Sequence, residues 1–157
     1  MPRRSDIVKD NRILIDTSVW IAYFKENNRL FAEKVDQLLT HSEIFVPKVV
    51  LAELFQGAKS EKEISVIEAF IDAFQVIDQT KETWLEAGRL SYSMKRKGIT
   101  IHLMDCYIAI LALENGCRIF SLDEHFNLIK TFTKLKLVPY SLSERRGKHS
   151  PGLKKDE

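Results

Sequence analysis

Apolar residues fall along this chain in two patterns. Short unbroken runs mark buried strands, and runs spaced by three and four positions mark helices. Positions 12–16 read as a first strand, buried on both sides because it does not alternate with polar residues. Thr17 or Ser18 is placed to cap a helix over about 18–25, and Asn27-Asn28 breaks it. A second helix, about 29–40, carries Leu30, Phe31, Val35, Leu38 and Leu39 on one stripe. Positions 43–46 form a short strand stopped by Pro47, which suits the first turn of a helix over 48–58. Ile64, Ile67, Phe70, Ile71 and Phe74 stripe a helix over 61–74, and Val76-Ile77 is a minimal strand. Thr80 is placed to cap a long helix to about Lys97, terminated by Gly98. Met104 to Asn115 is apolar nearly all round, a central helix ended by Gly116. Strands over 117–121 and 135–140 close the series, with a helix between them.

Strands alternating with helices predict an α/β fold, a mostly parallel sheet with helices on both faces. The chain has 157 residues, 45% hydrophobic and 29% charged, enough for one globular domain with a real core. That domain is expected over 12–142, between a polar extension at 1–11 and a basic, unstructured tail at 143–157. No apolar run approaches the ~20 residues that span a bilayer. The polar N-terminus lacks the apolar segment of a signal peptide. Together these predict a cytoplasmic protein with no membrane partner. The two cysteines, Cys106 and Cys117, fall in apolar segments and are expected to be buried thiols. No Cys/His group has zinc-site spacing.

Charge is unevenly placed. Residues 1–12 and residues 144–157 each carry a net +2, so with +2 for the whole chain the body between them is −2. Basic ends around an acidic body suit a polyanionic partner, and they equally suit solvated tails.

Four carboxylates stand out against this pattern. Asp16 ends the first strand, Glu53 lies in the apolar helix segment Leu51-Ala52-Glu53-Leu54-Phe55, Asp105 opens the most hydrophobic helix, and Asp123 follows the strand at 117–121. Each alone has an ordinary explanation, since Asp is a good N-cap and a Glu on a helix can face water. Three of the four sit where a strand ends or a helix begins, the edge at which open parallel sheets build their sites. Converging carboxylates repel one another and stay ionised only beside a compensating cation. An all-oxygen donor set selects Mg²⁺ or Mn²⁺, and such an ion suits phosphodiester hydrolysis. Thr17 and Ser121 flank two of the acids and can orient a carboxylate or a water, or serve only as caps.

At these residues the chain resembles the PIN-domain ribonucleases, most closely the VapC-type toxins of type II toxin–antitoxin pairs. Ile13 to Ile21 fits the family's opening strand running into Asp-Thr/Ser. Leu51-Ala52-Glu53-Leu54 followed by Gly57-Ala58 fits its Leu/Ala-Glu-Leu helix. Lys97-Gly98-Ile99-Thr100-Ile101 leading to Asp105 fits its third motif, and Ser121-Leu122-Asp123-Glu124-His125-Phe126 its last. The four acids are spaced 37, 52 and 18 residues apart. The resemblance spans about positions 13–138 and implies a PIN-like fold and a metal-dependent endoribonuclease leaving 5′-phosphate and 3′-hydroxyl ends.

It implies that Asp16, Asp105 and Asp123 hold the first Mg²⁺ or Mn²⁺ and that Glu53 completes the site through a water or a second ion. Thr17 or Ser18, with Ser121, match the family's hydroxyl positions. It further implies an RNA substrate, a homodimer and a small VapB-like antitoxin that sometimes places a basic side chain in the site. Val19, Trp20, Tyr23, Phe24, Leu30 and Phe31 are candidates for the antitoxin's groove, or for the core. Lys95, Arg96 and Lys97 are the candidate RNA contacts, with a favourable helix C-terminus as the competing explanation.

His125 departs from the pattern, standing where many relatives have a further acid. It reads as a surface histidine, or as a contact to RNA or to a metal-bound water. Two other functions remain open on sequence: an RNA-processing nuclease without an antitoxin, and an inactive PIN-like binding module. Haloacid dehalogenase-type phosphatases need a second Asp two residues after the first, where this chain has Ser18.

Overall fold

The computed structural model describes residues 10–25 and 27–140. Most of the expected N-terminal extension and the whole expected C-terminal tail lie outside the described residues. The described chain runs β1 (Arg12–Ile15), α1 (Thr17–Lys25), α2 (Arg29–His41), β2 (Glu43–Pro47), α3 (Lys48–Gln56) and α4 (Glu61–Ile71). It continues through β3 (Gln75–Ile77), α5 (Thr83–Arg96), α6 (Leu103–Glu114), β4 (Arg118–Phe120) and α7 (His125–Ile129).

The four strands form one sheet in the order β3-β2-β1-β4, every pairing parallel. In β1 the consecutive residues Ile13, Leu14 and Ile15 are all fully buried. Successive strand residues point to opposite faces, so both faces of the sheet centre are covered. This is the α/β architecture expected from the unbroken apolar run. The core continues into α6, where Cys106, Tyr107, Ile108, Ala109, Leu111 and Ala112 are all buried. Both cysteines are free and buried. No helix among the described residues is long and apolar enough to cross a membrane.

Local signals account for several element ends. Asn28, expected to break α1, caps α2 by accepting from the Phe31 amide at 3.1 Å. Ser60 caps α4 by accepting from the Glu63 amide at 3.1 Å, worth about 1 kcal/mol. Gly98 ends α5 with φ +79°, a left-handed conformation that favours glycine.

Three expectations shift. The long helix begins at Thr83, not Thr80, whose amide and hydroxyl instead engage the Thr83 hydroxyl at 2.8 and 3.2 Å. The helix over 61–74 stops at Ile71, leaving three residues before β3. The last strand over 135–140 shrinks to one parallel bridge between Ile119 and Leu137, carried by Ile119 N–H to Lys136 O at 3.0 Å and Val138 N–H to Ile119 O at 2.8 Å. With Pro139 next in sequence, the ladder has no donor with which to extend there.

Candidate metal centre

The sheet order fixes where a site can form. From β1 the chain crosses to β2 on one side, while β4 pairs on the other. The carboxyl ends of β1 and β4 therefore flank the switch point of the sheet, where α/β folds open a crevice. Asp16 follows β1, and Ser121 to Asp123 follow β4. The Asp16 amide donates to Phe120 O at 3.0 Å, tying the two strand ends together.

Two serines hold Asp16. Ser121 Oγ donates to Asp16 Oδ2 at 2.8 Å and Ser18 Oγ at 3.1 Å. Each hydroxyl has one proton to give, so both are committed to the same carboxylate oxygen. Their lone pairs accept backbone amides in turn: Asp123 N–H to Ser121 at 2.9 Å, and Leu122 N–H to Ser18 at 3.0 Å. The two serines thus lock the loop after β4 onto the end of β1. Ser18 is spent on this lock and not on the cap expected of it. Thr17 Oγ1 is shielded from water and no hydrogen bond of good geometry reaches it, although it lies near enough to Glu53 to favour that carboxylate's ionised form.

Glu53 enters from α3 and Asp105 from the first turn of α6. All four acids are half-buried. Burial pushes the Asp16 carboxyl above its usual value, against the opposing hydrogen bonds from Ser121, Thr17 N–H and Ser18, and the Asp123 charge adds to the rise. Burial also raises Glu53, reinforced by Asp16 and Asp105. Burial and then Asp123 raise Asp105, with His125 opposing. Asp16 therefore feels the charge of Asp123, Glu53 that of Asp16 and Asp105, and Asp105 that of Asp123 and Asp16.

His125 is part of the same cluster. Its Nδ1 lies 3.2 Å from Asp105 Oδ2 and 3.2 Å from Asp123 Oδ1. Its amide donates to Asp123 Oδ1 at 2.9 Å, fixing the turn that presents the ring. Among the described residues, Asp105, Asp123 and His125 form the group whose ligand atoms all lie within 4.8 Å of one another. His125 is a surface histidine, as read from the sequence, but its ring reaches the two acids. The Asp123-x-His125 spacing at a helix start was the available signal.

A divalent cation fits these residues. The donors are mostly hard carboxylate oxygens, their mutual repulsion needs positive charge, and Thr17 Oγ1 is a buried polar atom with no good hydrogen bond.

Two surface features adjoin the acids. A groove of about 560 Å³ is lined by Tyr92, Lys95, Thr100, His102, Leu103 and His125, among others. Of the basic trio, Lys95 lines it; Arg96 and Lys97 are exposed beside it. Tyr92 and His102 were not singled out in the sequence. A smaller apolar cleft of about 140 Å³ lies against Glu53, lined by Ile21, Phe24, Leu54, Val66 and Ile67. Of the six residues offered for a partner groove, Phe24 alone lines it. Val19, Trp20 and Phe31 are buried in the core, and Leu30 is exposed elsewhere.

Against known proteins, the PIN domain family model matches residues 13–131, and the chain belongs to that family. It is 28% identical to a VapC ribonuclease of Mycobacterium bovis over 132 residues, covering 82% of this chain and 98% of that protein. The fold is shared with VapBC2 from Rickettsia felis bound to a promoter DNA fragment, at a TM-score of 0.69 and 20% identity over 83% of this chain and 99% of that one. It is also shared with VapBC-5 of the VapBC family of toxin–antitoxin systems from Mycobacterium tuberculosis, at a TM-score of 0.59 and 17% identity, covering 83% and 99%.

Proposed function

We propose that this chain is a divalent-metal-dependent endoribonuclease, acting as the toxin of a VapBC-type pair in the cytoplasm. The observation that carries the reading is the meeting of Asp16, Glu53, Asp105 and Asp123 at the sheet's switch point, in a chain related to VapC ribonucleases. Asp16, Asp105 and Asp123 would hold the Mg²⁺ or Mn²⁺, and Glu53 would complete the site through a water or a second ion. Bound there, the ion supplies Lewis-acid activation of water and neutralises charge on the RNA phosphate. Ser18 and Ser121 aim Asp16 and favour its ionised form against the effect of burial. Glu53, with its raised affinity for a proton, is suited to take the proton from the attacking water. In-line attack then leaves a 5′-phosphate and a 3′-hydroxyl.

The groove with Lys95, Tyr92 and His102 offers the RNA strand positive charge and aromatic faces beside the acids. The apolar cleft against Glu53 offers a small antitoxin a seat from which a basic side chain reaches the site. Exposed Trp84, Leu85 and Tyr92 on α5 support a homodimer.

The test is cleavage of a mixed tRNA and rRNA pool by purified protein with Mg²⁺ or Mn²⁺, with EDTA, and by Asp105→Asn and Asp16→Asn. Cutting is expected only with metal and wild-type acids, while circular dichroism shows both variants folded. A folded variant that cuts at the wild-type rate removes its residue from the site. Absence of both cutting and metal binding in the wild type overturns the reading.

A further inference from the structure

We propose that His125 Nδ1 is itself a ligand of the divalent ion, so that this centre is a mixed carboxylate–imidazole site favouring first-row transition ions over Mg²⁺. The inference rests on the metal reading above and changes which atoms define the site.

Three observations carry it. The first is spacing. Adjacent ligands on an octahedral ion with bonds of ~2.1 Å stand ~3 Å apart. Nδ1 stands 3.2 Å from Asp105 Oδ2 and 3.2 Å from Asp123 Oδ1, the spacing of neighbouring ligands on one ion, and the three residues' ligand atoms all lie within 4.8 Å of one another.

The second is that the ring is delivered by the backbone. The His125 amide bonds Asp123 Oδ1 at 2.9 Å, while Asp123's own amide bonds Ser121 Oγ at 2.9 Å and Ser121 bonds Asp16. The histidine therefore belongs to the same locked loop as the acids, although its side chain is 46% exposed. The third is composition. The ligand-spaced group contains two carboxylates, and the imidazole completes its third position. Mg²⁺ is held through oxygen and water, whereas imidazole adds affinity for transition ions.

The alternative is an imidazolium that clamps the two carboxylates by charge and leaves when metal binds. The two differ in whether nitrogen touches the ion. The experiment is Mn²⁺ titration of the intact protein followed by electron paramagnetic resonance, with Mg²⁺ as competitor, on wild type, His125→Asp, His125→Ala and His102→Ala. Echo modulation from a coordinated ¹⁴N is expected in wild type and His102→Ala, and is expected to vanish in His125→Asp. His125→Ala should weaken Mn²⁺ binding by about 10–100-fold. His125→Asp should retain metal but lose the preference for Mn²⁺ over Mg²⁺.

Nitrogen modulation absent from the wild type, or persisting in His125→Asp, overturns the assignment. If the wild type binds Mn²⁺ through oxygen alone and still cuts RNA, this inference fails while the nuclease reading stands. If no variant binds Mn²⁺, both fail.

Discussion

Replacing Ser121 with alanine removes one hydroxyl and two hydrogen bonds at once. The first is the 2.8 Å donation to Asp16 Oδ2, and the second is acceptance of the Asp123 amide at 2.9 Å. A hydrogen bond to an ionised group contributes about 1.5–3 kcal/mol, and a neutral one about 1 kcal/mol. Ser18 still donates to Asp16 at 3.1 Å, so part of the first contribution survives. Where Asp16 is ionised, the expected loss is therefore ~2–3 kcal/mol. The pH dependence separates the two bonds. Ser121 favours ionised Asp16, so the variant's folded carboxyl lies higher than the already raised wild-type group. Above both values the full difference is present. As pH falls through them Asp16 is protonated in both proteins, the charge-assisted part disappears, and ~1 kcal/mol remains. Urea unfolding of the metal-free proteins, followed by fluorescence of buried Trp20, measures this directly. A loss under ~0.5 kcal/mol, or one that does not change with pH, refutes the claim that Ser121 holds a charged Asp16.

Asp105→Asn should stabilise the metal-free protein, by a margin that grows as pH rises. Folded Asp105 binds its proton more tightly than the unfolded residue with its ordinary value of 3.8, so ionisation penalises the fold from there upward. Denaturation midpoints of the two proteins in EDTA across pH check the sign, and saturating Mg²⁺ or Mn²⁺ should reverse the order. Neutralising Lys95, Arg96 and Lys97 to Gln in an Asp105→Asn background should lower the slope of log affinity against log salt for single-stranded RNA by up to about 2; an unchanged slope assigns the trio to solvent. Gly98→Ala should cost about 1–2 kcal/mol in thermal or urea unfolding. Its φ is +79° and a Cβ there meets nothing within 4 Å, so the whole cost is backbone strain.

What could be read along the chain is what depends on neighbours in sequence. The run Ile13-Leu14-Ile15 announced a strand buried on both faces, and both faces are covered. The all-apolar stretch from Met104 announced a central helix, and α6 is that helix. The four acids stood out because each follows a strand or sits in an apolar helix. What lay hidden depends on positions far apart in sequence. Ser18 read as a helix cap because only its chain neighbours were visible, and the Leu122 amide that it accepts while donating to Asp16 comes from over 100 residues away. Thr80 misled for a related reason: the Thr83 hydroxyl that it engages also donates to Glu114 across the α5–α6 packing. The last strand failed because a ladder needs a run of amides, and a bridge at Leu137 with Pro139 beyond it offers too few.

His125 shows why substitution at a family position is weak evidence of loss. By sequence it removes a carboxylate, and with it a stabiliser of positive charge. In the fold, the ring stands between two acids, Asp105 and Asp123, and the Asp123 charge adds to burial in raising Asp105. A further acid in this loop would deepen that repulsion in the metal-free protein. His125 instead opposes the rise at Asp105 directly. The same ring can then donate a lone pair when a cation arrives. A histidine here lowers the cost of assembling the site without metal while keeping a third ligand for the metal state, two demands that a carboxylate meets only one at a time.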